Sequence, residues 1–423
     1  MGQNTEEPVN ELMEIEGALF KEMQETYKKE IERRLQAKAD SIPIADSEGH
    51  PLKKKRRVTL SLTCIFGKCR IVVWKGFCES SQKWIIPARE AWRLKKKQRM
   101  TPLLQRKLCC TAVETGSFEK AAGLAGEWGV SISDDAVRSC VIELGNQAVK
   151  TPQKSACSNQ AGENDSLVIM MDGWFARHRG EDWGVKRRTP EDARVRWCEI
   201  KSAVIFRIQD IFKDQNKRGL LIKKHAVATP ADTDPVTFGQ AVEREAVRMG
   251  LCKAAHVYVI MDGGVYLWNI FEDRFAVCSA GLLDFYHASQ HLHALAAELF
   301  KDDMPAAKKW CTKLLHSLKH KSSKKFFKTL AELVSNPPEE TSAVTEAISS
   351  ANTYFERHRN HMNYAALSKK GVPIGSGAME SQCGQFQDRF KRRGQFWTKK
   401  AFEAFIEVAV RHQNGEIESL WAA

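Results

Sequence analysis

Two nearly identical segments restrict the fold of this chain more than any other feature: SLVIMMDG (166–173) and AAHVYVIMDGG (254–264). Each is a short, uninterrupted apolar run followed by Asp-Gly, which is typical of a strand buried on both faces. Two further strand-like runs lie in RVRWCEIKSAVIFRIQDI (194–211), and RFAVCSAGLLDFYHASQHLHALAAELF (274–300) has the pattern of a strand leading into a helix. Strands that alternate with helices predict an α/β sheet.

Both apolar runs end in an acidic residue, Asp172 in the first and Asp262 in the second. Side chains at the carboxyl ends of central strands meet at one edge of an α/β sheet, where binding sites form. An Asp-Gly pair after a strand is also ordinary turn chemistry, and Glu380, in GVPIGSGAMES (371–381), also suits the positive end of a helix dipole. Each residue taken alone therefore has both a structural and a functional interpretation.

Taken together, the three carboxylates predict a metal site. Asp172, Asp262 and Glu380 would repel one another if they converged, unless a cation lay among them. Hard oxygen ligands suit Mg²⁺ or Mn²⁺, and two such ions can activate an attacking oxygen and stabilise a leaving oxygen in phosphodiester chemistry. The basic residues that would hold a phosphate backbone beside the metals follow on the same predicted helix: Arg389, Lys391, Arg392 and Arg393.

The charge balance favours a polyanionic partner. With 65 Lys and Arg against 52 Asp and Glu, the 423 residues carry a net charge of +13, so DNA or RNA is the first candidate. No apolar run reaches the ~18 residues that a spanning helix needs, and the acidic N-terminus lacks the apolar region of a signal peptide. The twelve cysteines include no C-x-x-C pair, which is typical of a reduced intracellular protein.

Two features lie near the N-terminus. Residues 9–39 carry apolar side chains at helical spacing, which predicts an amphipathic helix that packs on the protein itself or forms a short coiled coil. PLKKKRRV (51–58) resembles a nuclear localisation signal, but the β-like runs after it favour a basic strand edge or a phosphate-contacting arm. The basic residues of that arm are Lys53, Lys54, Lys55, Arg56 and Arg57.

Residues 99–150 have the pattern of a helix-turn-helix domain. A helix near 117–127 is followed by a short turn at Gly129, and a second helix, 133–148, begins with Ser133 as its N-cap. Many helical hairpins of this kind bind nothing. In a chain of net charge +13 the pattern favours DNA contact through the second helix, with Arg138 as a candidate contact residue.

The segments MDGW, RWCEIKSAVIF, VIMDGGVYLWN, LLDFYHASQHL and YFERHRNHMNYAALSKKGVPIGSGAMES together resemble bacterial insertion-sequence transposases. The similarity is to the ISKra- and ISLre-type groups of the Mutator-like DDE class, and it covers roughly residues 105 to 415. GVPIGSGAMES is its most specific part. Chains of this family often carry paired cysteines after a hairpin that corresponds here to the two β-like runs joined at Phe66-Gly67, where this chain has only Cys78.

The resemblance implies an RNase H-like catalytic domain with a DDE metal triad. The two aspartates of that triad fall on Asp172 and Asp262, and its glutamate falls on Glu380. The Asp-x-x-His signature of the family falls on Asp284 and His287, which makes His287 a further candidate catalytic residue. The family also inserts a helical subdomain before the glutamate.

The sequence thus predicts an α/β RNase H-like catalytic domain with a helical insertion, preceded by a mainly helical N-terminal region that contains the helix-turn-helix. The segments are an amphipathic helix and linker (1–50), a small β-rich basic segment (51–98), a helix-turn-helix domain (99–150), the first part of the catalytic core (165–287), the helical insertion (288–370) and the C-terminal helices of the core (371–423).

The functional hypothesis is a DNA transposase that cleaves a strand with metal-bound water and transfers the freed 3′-OH to target DNA. It implies two Mg²⁺ or Mn²⁺ ions, double-stranded DNA as partner, a homo-oligomer on DNA, and a cytoplasmic, nucleoid-associated location in a bacterium. One alternative is an RNase H-like nuclease or resolvase without strand transfer. Another is a non-catalytic DNA-binding protein derived from a transposase. A P-loop phosphotransferase is disfavoured, because the chain has no G-x-x-x-x-G-K-[ST] loop.

Overall fold

The computed structural model describes residues 11–421 except 96, 154, 181–194, 216–218, 302 and 339–340. The acidic N-terminal residues 1–10, which entered the signal-peptide argument, lie outside the described residues. The chain forms two compact units, Met1–Leu144 with Leu420–Ala423, and Gly145–Ser419. Of the described helices, none combines the length and the apolar character needed to cross a bilayer.

The first unit combines a small antiparallel sheet with helices. Its strands lie in the order β1-β2-β3, so β1, which begins with the basic run, is an edge strand. The division between the units falls inside the last helix of this region, between Leu144 and Gly145. The elements are α1 (Glu11–Asp40), β1 (Lys53–Cys64), β2 (Gly67–Cys78), β3 (Lys83–Ile85), α2 (Pro87–Ala91), α3 (Pro102–Thr115), α4 (Phe118–Glu127) and α5 (Asp134–Lys150).

The amphipathic helix predicted at 9–39 is observed as α1, and its contacts with its own unit include Gln24, whose Nε2 donates to the Trp128 carbonyl at 2.7 Å. Tyr27 stacks on Phe66 at 5.4 Å between ring centroids, and Gln36 exchanges hydrogen bonds with the backbone of Val72 in β2. In the first half, Leu12 and Leu19 are 68% and 60% exposed. The apolar side chains at the start of α1 are therefore largely exposed.

The two helices of the predicted helix-turn-helix are α4 and α5. Ser133 Oγ accepts from the Ala136 backbone N–H at 3.3 Å, as expected of an N-cap. Gly129 has φ of +79°, a left-handed conformation that glycine adopts without strain, and Val130 after it is fully buried. Whether this pair of helices reads DNA stays a prediction.

The second unit is a mixed α/β structure around a five-stranded sheet in the order β10-β9-β4-β5-β8. β4 pairs antiparallel with β5 and parallel with β9, β5 pairs antiparallel with β8, and β9 pairs parallel with β10. This order is compatible with an RNase H-like fold. The strands are β4 (Ser166–His178), β5 (Arg196–Arg207), β6 (Ile211–Lys213), β7 (Gly219–Leu221), β8 (His225–Ala228), β9 (His256–Met261) and β10 (Ala280–Leu283), of which β6 and β7 form a separate hairpin.

Strand β4 is longer than the sequence suggested. Asp172 does not end it, because the strand continues to His178 and Asp172 pairs with Ser202 of β5. After Gly173 the burial alternates, with Trp174 buried and Phe175 half exposed, so this part of the strand has one solvent-facing side. The continuous apolar run marks only the part that is covered on both faces.

Helices pack on this sheet, among them α13 on β4 and α14 on β8. The region predicted as an insertion at 288–370 is also helical, and there α8 contacts α9 and α11, and α10 contacts α9 and α11. The helices are α6 (Pro235–Arg248), α7 (Val265–Arg274), α8 (Phe285–Phe300), α9 (Met304–His320), α10 (Lys324–Ser335), α11 (Ser342–Arg357), α12 (Tyr364–Lys369), α13 (Gly377–Phe390) and α14 (Lys399–Gln413).

The basic helix predicted behind Glu380 is shorter than expected. α13 ends at Phe390, so Arg389 is its last basic residue, and Lys391, Arg392 and Arg393 lie in the turn that follows. Gly394, with φ of +71°, lies in a turn closed by the hydrogen bond from the Gln395 N–H to the Arg392 carbonyl at 3.1 Å. The cluster of positive charge is retained, but three of its four residues are on a turn.

Candidate active site

Acidic residues stand at the same level on three neighbouring parallel strands. The pairing of β4 with β9 ends at Met171 and Met261, and the next residues are Asp172 and Asp262. Neighbouring strands lie about 4.8 Å apart, so these two aspartates are adjacent across the sheet. On the other side of β9, the Asp284 backbone N–H donates to the Met261 carbonyl at 2.7 Å. Asp284 therefore lies with the other two aspartates at the carboxyl ends of β4, β9 and β10, a region named the strand edge.

Asp284 is fully buried and its oxygens are committed to backbone groups. Oδ1 accepts from the Tyr286 and His287 N–H groups at 2.5 and 3.1 Å, which caps α8, and Oδ2 accepts from the Ser376 N–H at 2.6 Å. Burial acts to raise the pKa of Asp284, but hydrogen bonding from His287 and Ser376 outweighs it, so the pKa is lowered. Asp284 therefore serves as a charged anchor that ties the glycine-rich loop before α13 to the strand edge.

Glu380 reaches the strand edge through that anchored loop. It lies in the first turn of α13, its backbone N–H donates to the Ser376 carbonyl at 3.0 Å, and its Oε1 accepts from Ser376 Oγ at 3.3 Å. The Phe285 N–H also donates to Ile374 of the loop at 3.0 Å. Since Ser376 is held by Asp284, the position of Glu380 depends on a buried carboxylate that belongs to the sheet edge.

Aromatic packing fixes the rest of α13 against β4. Trp174, two residues after Asp172, is buried and has ring-centroid distances of 5.8 Å to Phe386, 6.1 Å to Phe390 and 6.2 Å to Phe402 of α14. Its Nε1 donates to Ser202 Oγ at 2.9 Å. Buried aromatic pairs of this kind stabilise by about 0.5–1.5 kcal/mol beyond their area, so the helix that carries Glu380 is firmly seated.

The electrostatics of the site couple the predicted residues. Burial, together with the repulsion of Asp262 and Glu380, raises the pKa of Asp172 to about 6, although the Gly173 N–H and His287 oppose the rise. The pKa of His287 is raised mainly by Asp284, whose Oδ2 lies 3.7 Å from Nδ1, with further contributions from Asp262 and Asp172. These carboxylates therefore favour the cationic form of His287.

A further charged pair borders the site and was missed by sequence reasoning. Lys201 of β5 is buried opposite Gly173, and its Nζ donates to Glu199 Oε2 at 2.9 Å. Tyr266 donates to Glu199 Oε1 at 3.3 Å, and its pKa is raised by burial and then by Glu199, Asp172 and Asp262. The available signal was a lysine inside an otherwise apolar strand, since a buried lysine needs an anionic partner.

The three carboxylates predicted as metal ligands interact electrostatically, since both Asp262 and Glu380 raise the pKa of Asp172. Their oxygens do not all lie within 4.8 Å of one another. Cys383 is buried one turn after Glu380. Its pKa is raised to about 12 by burial and then by Asp172 and Glu380, so both of these carboxylates act on the same thiol. Carboxylates that share divalent cations can lie apart in the same way, because two such ions span roughly 3.5–4 Å.

The predicted DNA contacts lie elsewhere on the chain. Lys53 to Arg57 are exposed on β1, where Lys53 pairs with Glu79 at 2.6 Å and Arg56 and Arg57 lie over Trp84 and Trp74. Arg138 is exposed on α5. Lys391 lies over Trp197 at 5.1 Å, and Trp397, in the chain after the basic turn, is buried.

No protein-family model matches the sequence, and no curated protein matches it. Among solved structures, the chain is similar to the Drosophila P element transposase strand transfer complex, with a TM-score of 0.27 and 13% sequence identity, over 79% of this chain and 83% of that one. A TM-score of this size does not establish a shared fold, so the functional assignment depends on the residues of this chain.

Proposed function

We propose that this protein is a DNA transposase of the DDE type, in which Asp172, Asp262 and Glu380 bind divalent cations at the edge of the five-stranded sheet. The observation that carries the proposal is the level placement of Asp172 and Asp262 on adjacent parallel strands, with Glu380 brought to that edge by a loop fastened to Asp284. Each of these residues alone has a structural explanation. Their convergence does not, because it places like charges together at a cost in stability.

The donor chemistry of the site fits Mg²⁺ or Mn²⁺. All three side chains offer carboxylate oxygens, which these hard cations prefer, and no thiol or imidazole needs to take part. When bound, two such ions would supply an activated oxygen nucleophile and stabilise the leaving oxygen of a phosphodiester. The pKa of Asp172 is raised to about 6, first by burial and then by Asp262 and Glu380, and a bound cation would offset the repulsion between these carboxylates.

The protein's own residues would position the site and its substrate. Asp284 and Ser376 hold the start of α13, and the Trp174 cluster prevents that helix from moving away from β4. Protonated His287 would offer a positive charge next to the carboxylates, where it can contact a phosphate oxygen. The exposed basic turn after α13 would hold the DNA backbone close to Glu380.

The insertion helices add a second basic surface. A groove between α9 and α10 is lined by five lysines and a histidine, and none of the described residues that line it is acidic. Such a surface attracts phosphates by charge and by counterion release, without reading sequence. Its basic residues are Lys308, Lys309, Lys313, His316, Lys321 and Lys325.

The test compares two glutamates in first helical turns. Glu380→Gln keeps the size of the side chain and removes the charge that a divalent cation needs, and Glu119→Gln makes the same change in the first turn of α4. Both variants should fold, and each should lose under about 1 kcal/mol of helix-dipole stabilisation. The substrate is a DNA fragment that carries the sequences flanking the coding region, at saturating concentration with Mg²⁺.

Glu380→Gln should lower strand cleavage by orders of magnitude, because metal-ion stabilisation contributes several kcal/mol and each ~1.4 kcal/mol is tenfold in rate. Glu119→Gln should leave the cleavage rate of the bound complex nearly unchanged. Near-normal cleavage by Glu380→Gln would overturn the proposal. Cleavage by the unmodified protein without joining of the 3′ end to target DNA would replace the transposase by an RNase H-like nuclease.

A further inference from the structure

Three potential metal ligands that are far apart in sequence meet beside β8, the edge strand of the five-stranded sheet. Cys157 lies in the segment between α5 and β4, His225 begins β8, and Glu416 follows α14. Cys157 Sγ is 3.7 Å from His225 Nδ1 and 3.8 Å from Glu416 Oε1, and the three ligand atoms all lie within 4.8 Å of one another. Among the described residues, only this group of His, Cys, Asp or Glu side chains meets that distance.

The spacing of the three atoms matches a zinc site. With Zn–S of about 2.3 Å and Zn–N or Zn–O of about 2.0–2.1 Å, the edges of a tetrahedron from sulfur to the other ligands are about 3.6 Å. The observed distances of 3.7 and 3.8 Å are within about 0.2 Å of that value. Cys157 is 7% exposed and His225 is 3% exposed, so the ligand atoms are held in place by their surroundings.

The second nitrogen of His225 has the partner that a zinc-bound histidine commonly has. Nε2 lies 3.0 Å from Glu245 Oε2, so a proton on Nε2 donates to a carboxylate and leaves Nδ1 as the free lone pair that faces Cys157. This carboxylate–histidine arrangement fixes the tautomer and strengthens the nitrogen as a ligand. Asn414 Nδ2, 3.3 Å from the same Nε2, donates to the Ala226 carbonyl at 2.9 Å.

Arg248 sets the charge balance of the cluster. Its guanidinium donates to Glu245 and to Glu416, and its Nε donates to the Ser155 carbonyl at 2.8 Å. Glu245 also pairs with Arg244, whose Nε lies 3.2 Å from Oε1, so the two carboxylates face two arginines. A divalent cation and a Cys157 thiolate together would add a net charge of only +1 to this group. Glu416 Oε1, which lies 3.8 Å from Cys157 Sγ, is also the oxygen that accepts from Arg248, and its two lone pairs allow it to bind a cation while it keeps that hydrogen bond.

We propose that Cys157, His225 and Glu416 bind one Zn²⁺, with water in the fourth position, and that this ion fastens the segment before β4 and the chain after α14 to β8. On binding, the Cys157 thiol releases its proton to solvent and its sulfur forms the bond to zinc. The site is separate from the carboxylates assigned to DNA chemistry, and its ligands include a thiolate and an imidazole, which select zinc over Mg²⁺.

The test uses the full-length chain with the exposed thiols of Cys252 and Cys278 changed to serine, so that surface cysteines contribute no metal. Cys157→Ser removes the proposed thiolate ligand, and Cys311→Ser is the matched control, because Cys311 is also buried. Each protein is equilibrated with ZnSO₄, passed through a desalting column and analysed for zinc by elemental mass spectrometry. Co²⁺ is then exchanged into the metal-free proteins and the near-ultraviolet thiolate-to-cobalt absorption is recorded.

The proposal predicts one zinc per chain in the parent and in Cys311→Ser, and less than a tenth of that in Cys157→Ser. The cobalt charge-transfer absorption should appear in the first two proteins only, and ZnSO₄ should raise the Tm of the first two only. A parent protein that retains no stoichiometric zinc overturns the proposal without any variant. Equal zinc in Cys157→Ser and Cys311→Ser also overturns it and leaves the cluster as an Arg248 ion-pair network.

Discussion

The second unit holds two groups of potential metal ligands, and they differ in how their charges are balanced. At the strand edge, the oxygens of Asp172, Asp262 and Glu380 do not all lie within 4.8 Å of one another, and the charge of His287 acts on Asp172. Beside β8, the ligand atoms of Cys157, His225 and Glu416, the cysteine cluster, all lie within 4.8 Å of one another, and Arg248 donates to Glu416.

The difference reflects the two jobs that a metal site can have. Partly exposed carboxylates beside a basic residue can admit cations together with a phosphate, which phosphodiester chemistry requires. A compact, buried set with a fixed histidine tautomer holds an ion for structure. Substitutions at the strand edge should therefore lower activity, and substitutions in the cysteine cluster should lower stability.

The largest expected effect is a separation of these two failures. Asp262→Asn should lower DNA cleavage by about 10³-fold or more, since several kcal/mol of transition-state stabilisation are lost, while Tm and DNA affinity stay close to the parent values. Cys157→Ser should lower Tm and leave the cleavage rate per folded molecule within about twofold. Paired thermal-melt and single-turnover assays check both. Loss of cleavage in Cys157→Ser without loss of stability would erase the distinction between the sites.

The next effect concerns the anchor of the strand edge. Asp284→Ala removes the acceptor of three backbone N–H groups, including the buried Ser376 N–H, and should cost about 2–4 kcal/mol of unfolding free energy. Asp303→Ala is the control, because Asp303 caps α9 with one hydrogen bond, to Ala306 N–H at 2.9 Å, and should cost about 1 kcal/mol. Urea denaturation measures both. Equal losses would mean that Asp284 is only a helix cap.

A smaller effect is a pH dependence that comes from Asp172. Its pKa in the folded protein, about 6, lies above the ordinary value of 3.8, so the folded state holds that proton more tightly than the unfolded state. The contribution to stability is therefore lost as pH rises through about 4 to 6. Without divalent metal, the unfolding free energy of Asp172→Asn relative to that of the parent should rise by on the order of 1–2 kcal/mol between pH 4 and pH 7, a range that allows for partial exposure. A difference that is constant across this range would contradict the electrostatic description.

The smallest effects are expected at the predicted DNA contacts of the first unit. Neutralising Lys53 to Arg57 should flatten the dependence of log K on log salt by about 0.9 per lost phosphate contact, and Arg138→Ala should weaken binding by about 1 kcal/mol. Lys29→Ala, at an exposed position of α1, is the control and should leave binding and slope unchanged. Fluorescence anisotropy across a salt series measures them. If all three variants behave like the parent, these segments have structural roles only.

The sequence predicts those parts of the site that depend on local pattern. The two apolar runs locate Asp172 and Asp262 because strands buried on both faces have a continuous apolar signature. The length of β4 was not predictable in the same way, because the strand continues past Gly173 with only one buried side. Lys391 to Arg393 were placed on a helix because charge is compatible with both a helix and a turn, and Gly394 decides between them.

Contacts that depend on pairing or tertiary packing leave no local signal. Glu199 and Lys201 border the site through the register of β5 against β4, which no residue pattern specifies. Cys157 is 68 residues from His225 and 259 from Glu416, and the three residues meet only once α14 and the segment before β4 have packed beside β8. A ligand spacing in sequence can identify a zinc finger, but it cannot identify a site assembled from three distant segments.

The most direct test of the central claim is a crystal structure of the full chain grown with Mn²⁺, with anomalous data collected at the manganese absorption edge. The account predicts one or two anomalous peaks at the strand edge, with oxygens of Asp172, Asp262 and Glu380 all about 2.1 Å from manganese. Manganese bound elsewhere, or held at that edge by only one of the three carboxylates, would contradict it.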